Sequence, residues 1–215
     1  KYQATIYGHK EEQFNIWSHG LGFVASVLGT VLLLARALGM SDPTYAVSAA
    51  VYGASLLTLY AASTLYHSAK KPKLRNRLNI FDHAAIYILI AGTYTPFCLI
   101  TLAGKVGWIL FACVWSFAVA GVILKLFFTG RYDKLSTLMY VFMGCMVIFA
   151  FKPLMAHLPT EGLYWLLGGG LSYIIGAAFY SFPQHIRYNH AIFHVFVLAG
   201  SLCHFVSVYY YVLSP

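Results

Sequence analysis

Seven stretches of this chain are long and apolar enough to cross a bilayer, and that fact constrains its fold more than any motif. A helix that spans the hydrocarbon core needs about 20 mostly apolar residues. The stretches run Trp17–Leu38, Thr44–Tyr66, Ile80–Leu102, Val106–Phe128, Leu135–Phe151, Glu161–Phe179 and His190–Leu213. Composition agrees. Of 215 residues, 60% are hydrophobic and 9% charged, and the mean hydropathy is +0.71. A soluble domain carries about 25% charged residues. The expected fold class is therefore all-α and integral to the membrane: one seven-helix bundle over residues 1–215, with short loops and no room for a second domain.

Charge gives the orientation. Lys70, Lys71, Lys73, Arg75 and Arg77 lie between spans two and three, and Lys1, Lys10, Arg131, Lys134 and Arg187 fall on the same side. Arg36, Lys105 and Lys152 are on the other. Lys and Arg collect in cytoplasmic loops, so the N-terminus is expected inside and the C-terminus outside. The net charge of +8 is thereby explained as a topology signal, without nucleic acid and without a dedicated lipid-surface patch. Residues Lys1–Asn15 lack the order of a cleaved signal peptide, so the first span is expected to act as its own insertion signal. Cys98, Cys113, Cys145 and Cys203 sit inside apolar runs with no CxxC spacing, which points to buried small hydrophobes rather than disulfides or a thiolate metal site. Pro96 should kink span three or mark an irregular turn in its outer half.

Polar groups inside spans are costly and mark function. Here they gather at one depth. Span two ends in Ser63-Thr64-Leu65-Tyr66-His67, with Ser63 and His67 four apart on one helix face. Span three opens with Asp82 and His83, and span seven opens with His190-Ala191-Ile192-Phe193-His194. Two histidines four apart on a helix can reach one metal ion. The topology puts the end of span two and the starts of spans three and seven at the same face, so His67, Asp82, His190 and His194 are expected together. Three imidazoles suit Zn2+ and leave a fourth position for water, which zinc activates toward a carbonyl. Asp82 would take the proton of that water or orient it, and Ser63 would hold the water or a substrate oxygen.

The other histidines are placed around this set. His19 opens span one on the same side and either lines the cavity behind the ligands or serves an interfacial helix start. His83 points about 100° from Asp82 on a helix and is left outside the ligand set. His204 lies about 15 Å deeper than His194 and cannot share its metal. His157, near the outer face, and His185, in an inner loop, are expected in solvent. The aromatic residues are expected in the core and interface belts.

These residues also form a recognisable pattern. Glu11-Glu12-Gln13-Phe14-Asn15-Ile16-Trp17-Ser18-His19, Ser63-Thr64-Leu65-Tyr66-His67, Phe81-Asp82-His83-Ala84-Ala85-Ile86-Tyr87 continuing to Ala91-Gly92-Thr93-Tyr94-Thr95-Pro96-Phe97, and Asn189-His190-Ala191-Ile192-Phe193-His194 with Cys203-His204-Phe205 together resemble the progestin and adipoQ receptor superfamily, in its bacterial hemolysin III-like branch. The resemblance implies seven helices with a cytoplasmic N-terminus, in the bacterial cytoplasmic (inner) membrane. It implies zinc held by His67, His190 and His194 near the cytoplasmic face, with Ser63 and Asp82 bordering its water. Many sequences of that branch carry Glu after the first histidine of the span-seven motif; Ala191 stands there in this chain. The bilayer is the expected partner, together with a lipid substrate. Two functional readings follow: a zinc-dependent, ceramidase-like hydrolase of a lipid amide or ester, or a non-enzymatic membrane-homeostasis, signalling or pore-forming protein in which zinc is structural.

Overall fold

The computed structural model describes residues 2–181 and 186–214, the side chains of residues 133 and 134 excepted. It is all helix: α1 (His9–Ala37), α2 (Pro43–Ser68), α3 (Pro72–Pro96), α4 (Gly104–Phe128), α5 (Asp133–Cys145), α6 (Phe151–His157), α7 (Thr160–Ser181) and α8 (Asn189–Ser207). Seven spans result, because α5, a 3-10 turn over Met146–Ala150 and α6 run on as one. Span five therefore ends at His157, six residues past the expected boundary at Phe151. The remaining boundaries move mostly at the basic end. There α1 starts at His9 and α3 at Pro72, so His19 and Asp82 lie within their helices rather than at their openings. Apolarity marks where a helix enters lipid, but hydrogen bonding lets it continue into polar sequence beyond. Pro96 closes α3 and is followed by a π-helical stretch, Phe97–Leu102, the irregular backbone expected at this proline. A second π-helical stretch, Val208–Val212, extends α8.

Local chemistry explains several ends. Asp42 caps α2 by accepting from the Thr44 amide at 2.8 Å, and Pro43 takes the first helical position, where its missing N–H costs nothing. The carbonyls left open at the end of α2 are met by a side chain instead. The Arg75 guanidinium donates to the carbonyls of Tyr66, His67 and Ala69 and pairs with Glu12. Arg75 is 6% exposed, so it is a strut between α1, α2 and α3 as well as a positive charge at that end.

The inner face of α1 is mostly polar and small, and its outer face apolar. The buried stripe of α1 reads Asn15, His19, Gly22, Ser26, Gly29, Leu33, Ala37, while Trp17, Leu21, Val24, Leu28 and Val31 face outward. A water-soluble helix has the opposite pattern, and small inward residues let lipid-embedded helices approach closely. α1 packs on α2, α2 on α3 and α3 on α4, while α8 joins α1 to α7 and α5 touches α3, α4 and α7. Glycines permit the tightest approaches. At Gly107 of α4 an added Cβ would fall on the Cys98 carbonyl of the preceding π-helical stretch, whereas at Gly168 nothing lies within 4 Å. Gly107→Ala should lower stability by about 1–3 kcal/mol, read as a fall in melting temperature in detergent. Gly168→Ala should leave the melt unchanged, and equal behaviour of the two variants would refute this account of the packing.

Candidate metal centre

The last turn of α2 carries His67 and the first turns of α8 carry His190 and His194, so these two helix ends set the site. All three imidazoles are buried. The Nε2 of His190 lies 3.2 Å from that of His67 and 3.1 Å from that of His194. One ligand nitrogen from each lies within 4.8 Å of the others. Zinc–nitrogen bonds of about 2.0–2.1 Å in a tetrahedron place neighbouring nitrogens about 3.3 Å apart, close to these separations.

The surrounding hydrogen bonds assign the tautomers. His67 Nδ1 faces the Glu12 carboxylate at 3.1 Å, an acceptor, so Nδ1 carries the proton and Nε2 presents a bare lone pair. Ser18 Oγ donates to the Asn15 carbonyl at 3.2 Å, so its contact with His194 Nδ1 at 3.2 Å is one in which the imidazole donates. His194 Nε2 is therefore bare too. Two bare lone pairs face the Nε2 of His190, and neutral Nε2 donors held by Nδ1–H bonds are the usual histidine ligands of zinc. The donor set fits a metal ion.

Beside this group lies a second chain of polar contacts. Ser63 hydrogen-bonds the Asp82 carboxylate and lies 2.7 Å from His19 Nδ1. The carboxylate accepts from the Ser63 hydroxyl, so His19 donates to Ser63 through Nδ1. His19 stacks on His194, with ring centroids 3.5 Å apart and planes at 8°. Its Nε2 and both side-chain amide atoms of Asn15 have no hydrogen-bond partner among the described residues.

The structure thus brings together every residue singled out for the site: His67, His190 and His194 as a trio, with Ser63 and Asp82 alongside and His19 behind the ligands. His83 stays outside the trio, as expected. It lines the adjoining cavity, and its Nε2 lies 3.3 Å from the Tyr180 hydroxyl. His204 is deeper on α8 and likewise separate, and His157 is exposed. His185 lies outside the described residues.

Three features were not anticipated. The carboxylate behind the ligands comes from Glu12 of α1, not from the α8 position held by Ala191. Ser18 orients His194. The segment before α1 also covers the site: Tyr7 stacks on His190 with centroids 4.5 Å apart and planes at 17°. Thr5 accepts from the Tyr66 hydroxyl at 3.1 Å and from Arg75 at 2.9 Å, and the Ala4 amide donates to Asn76 at 2.9 Å. Burial pushes the Tyr7 phenol well above its ordinary range, so a neutral ring lies on His190. Glu12, Asn15 and His19 recur at three- and four-residue spacing, a polar helix face that the sequence displays.

The family model for haemolysin-III related proteins matches residues 7–205. The chain belongs to the haemolysin-III related family. It is 46% identical over 204 residues to Hemolysin-3 of Bacillus cereus, covering 95% of this chain and 93% of that protein. It is 44% identical over 202 residues to the Hemolysin-3 homolog of Bacillus subtilis (strain 168), covering 94% of each. A human protein, monocyte to macrophage differentiation factor, is 30% identical over 224 residues, covering 98% of this chain and 87% of its own length. The resemblance to the hemolysin III branch of the progestin and adipoQ receptor superfamily therefore stands, and the chain is a multi-pass membrane protein.

If Glu12 orients His67, Glu12→Gln should weaken metal binding about 10–100-fold in competition against a chelator, without abolishing it. Affinity equal to the wild type would remove Glu12 from the centre.

Proposed function

We propose that this haemolysin-III related protein is a zinc-dependent hydrolase of a lipid amide or ester, with zinc on His67, His190 and His194. Its basic end, with the centre, faces the cytoplasm from the bacterial inner membrane. The observation that carries the reading is the position of His190 and His194 at an apolar cavity, with Tyr7, which stacks on His190, on the wall of a second and more polar one. One, of about 390 Å³, runs between α3, α5, α7 and α8, with His19, Ser63, Asp82, His190 and His194 at one end and apolar residues such as Ile86, Leu89, Phe97 and Leu166 along it. The other, of about 400 Å³, is bordered by Tyr2, Tyr7, Tyr66, Asn79 and Tyr180. His83 and Tyr180 border both. A lipid whose chain fills the first cavity brings its amide or ester linkage to His190 and His194, with its head toward the second. The orientation is supported by Lys70, Lys71, Lys73, Arg77, Arg131 and Arg187, which helix direction places at the end that holds the centre.

Zinc, when bound, supplies Lewis acidity that polarises a carbonyl and makes water a stronger acid. The chain supplies the rest. Asp82, buried on the cavity wall, takes a proton on its carboxylate as the water oxygen bonds to the carbonyl carbon. It returns that proton to the nitrogen or oxygen that leaves as the C–N or C–O bond breaks. Ser63 holds the Asp82 carboxylate in place, with His19 behind it. The apolar wall excludes bulk water and would be a poor lining for an ion path, which favours hydrolysis over the pore suggested by the names of the bacterial relatives.

Asp82→Ala should retain zinc while losing at least about 100-fold in hydrolysis, measured by lipid mass spectrometry on a membrane extract incubated with purified protein. Zinc-loaded wild type that consumes no lipid beyond the level of the variant would eliminate the enzymatic reading. In the rival case, where zinc is structural, chelation would chiefly lower the melting temperature.

A further inference from the structure

The three imidazoles of the centre are not held alike. His67 and His194 are fixed by hydrogen bonds from Nδ1 to Glu12 and Ser18. For His190 no Nδ1 hydrogen bond is found among the described residues, and its polar contacts are those of Nε2 with the other two rings. The last torsion of a histidine side chain is broad and roughly two-fold, so a ring without such a bond needs packing to set its plane. Neighbouring rings supply it. Tyr7 lies over His190 with centroids 4.5 Å apart and planes at 17°, while Phe193 and Tyr180 meet it at tilts of 44° and 52°. Tyr7 also meets His67, with centroids 5.6 Å apart and planes at 45°. It thus touches two of the three imidazoles from outside the helices that carry them.

Tyr7 is itself held from both directions along the chain. Two residues before it, the Thr5 carbonyl accepts from Arg75 at 2.9 Å and from Tyr66 at 3.1 Å. Further back, the Ala4 amide donates to the Asn76 side chain at 2.9 Å, and the Asn76 side chain donates to the Tyr2 carbonyl at 3.2 Å. Just after it, the Gly8 carbonyl accepts from the Glu12 amide at 2.9 Å, in the first turn of α1. Ile6 between these anchors is 81% exposed, so the strap turns its aliphatic side chain outward and its aromatic one onto the histidines.

We propose that Tyr7 is a positioning residue of the metal centre: its ring sets the plane of His190 so that Nε2 faces the other two imidazoles, and residues 2–7 are the strap that keeps it there. The flat face acts, and the hydroxyl is dispensable. The proposal rests on a metal bound by the trio and not on hydrolysis.

The test is zinc competition against a chelator, with entry and release rates followed separately, on the full-length protein in detergent. Tyr7→Phe keeps the ring and should bind zinc within about twofold of the wild type. Tyr7→Leu covers the same place without a flat ring and should bind about tenfold or more weakly, mainly through faster release. Co2+ bound in place of zinc should show an altered visible spectrum in Tyr7→Leu and the wild-type spectrum in Tyr7→Phe, a split that loss of a cover alone does not produce. Wild-type affinity in Tyr7→Leu would overturn the proposal, as would entry and release accelerated together with affinity unchanged, since Tyr7 would then only cover the site. A loss in Tyr7→Phe equal to that in Tyr7→Leu would overturn it too. Should Tyr7→Leu fail to fold, Asn76→Ala, which frees the strap from α3 away from the histidines, decides: affinity should fall about two- to tenfold, and wild-type affinity would overturn the proposal. Wild-type protein that binds no zinc removes the centre and the proposal with it, whereas zinc bound without lipid turnover leaves the proposal standing.

Discussion

Three imidazole nitrogens converge, with His190 Nε2 within 3.1–3.2 Å of the bare Nε2 atoms of His67 and His194, and much of the basic end of the bundle serves to hold them in that arrangement. Glu12 and Ser18 fix which nitrogen of His67 and His194 carries the proton. Arg75 ties Glu12 to the end of α2 and to Thr5, so the residue that orients a ligand is itself held by three elements. His19 and Tyr7 lie flat against His194 and His190. Away from water, each such polar group must find its partner within the protein, and the partners form one connected set from the N-terminal segment through α1, α2, α3 and α8.

The fold was legible because lipid is an exacting solvent. Length and apolarity of the runs sufficed for seven spans, and they failed only at ends where helices continue into polar sequence, as α3 does from Ile80 back to Pro72. The trio was legible because His190 and His194 share a helix face and the alternation of spans sets His67 at the same level. Glu12 escaped because its partner His67 is 55 residues away, and no periodicity reports such a pairing. The branch pattern has Glu after the first histidine of the span-seven motif, where this chain has Ala191, and the carboxylate beside His67 comes from another helix. Arg75 was read as a topology charge because sequence registers its sign and not its burial. The cover over the site formed by residues 2–7 has no regular period, so nothing in its composition announced it.

The two cavities give the centre its context. His83 and Tyr180 border both, which sets an apolar compartment and a tyrosine-lined one against each other where α3, α7 and α8 meet. His190 and His194 line the apolar compartment, and Tyr7 on the wall of the other stacks on His190. The human relative is 30% identical over 98% of this chain, so the chain is similar both to bacterial proteins named for haemolysis and to one named for cell differentiation. Neither name describes the chemistry of the site.

The account depends first on the metal. The most direct measurement is X-ray fluorescence or plasma mass spectrometry on protein purified without a polyhistidine tag, wild type beside His190→Ala. The account predicts close to one zinc per wild-type chain and little or none in the variant, with both proteins folded by their melts. Wild-type protein devoid of metal after growth in zinc-replete medium, or zinc that persists at full occupancy in the folded variant, would contradict it.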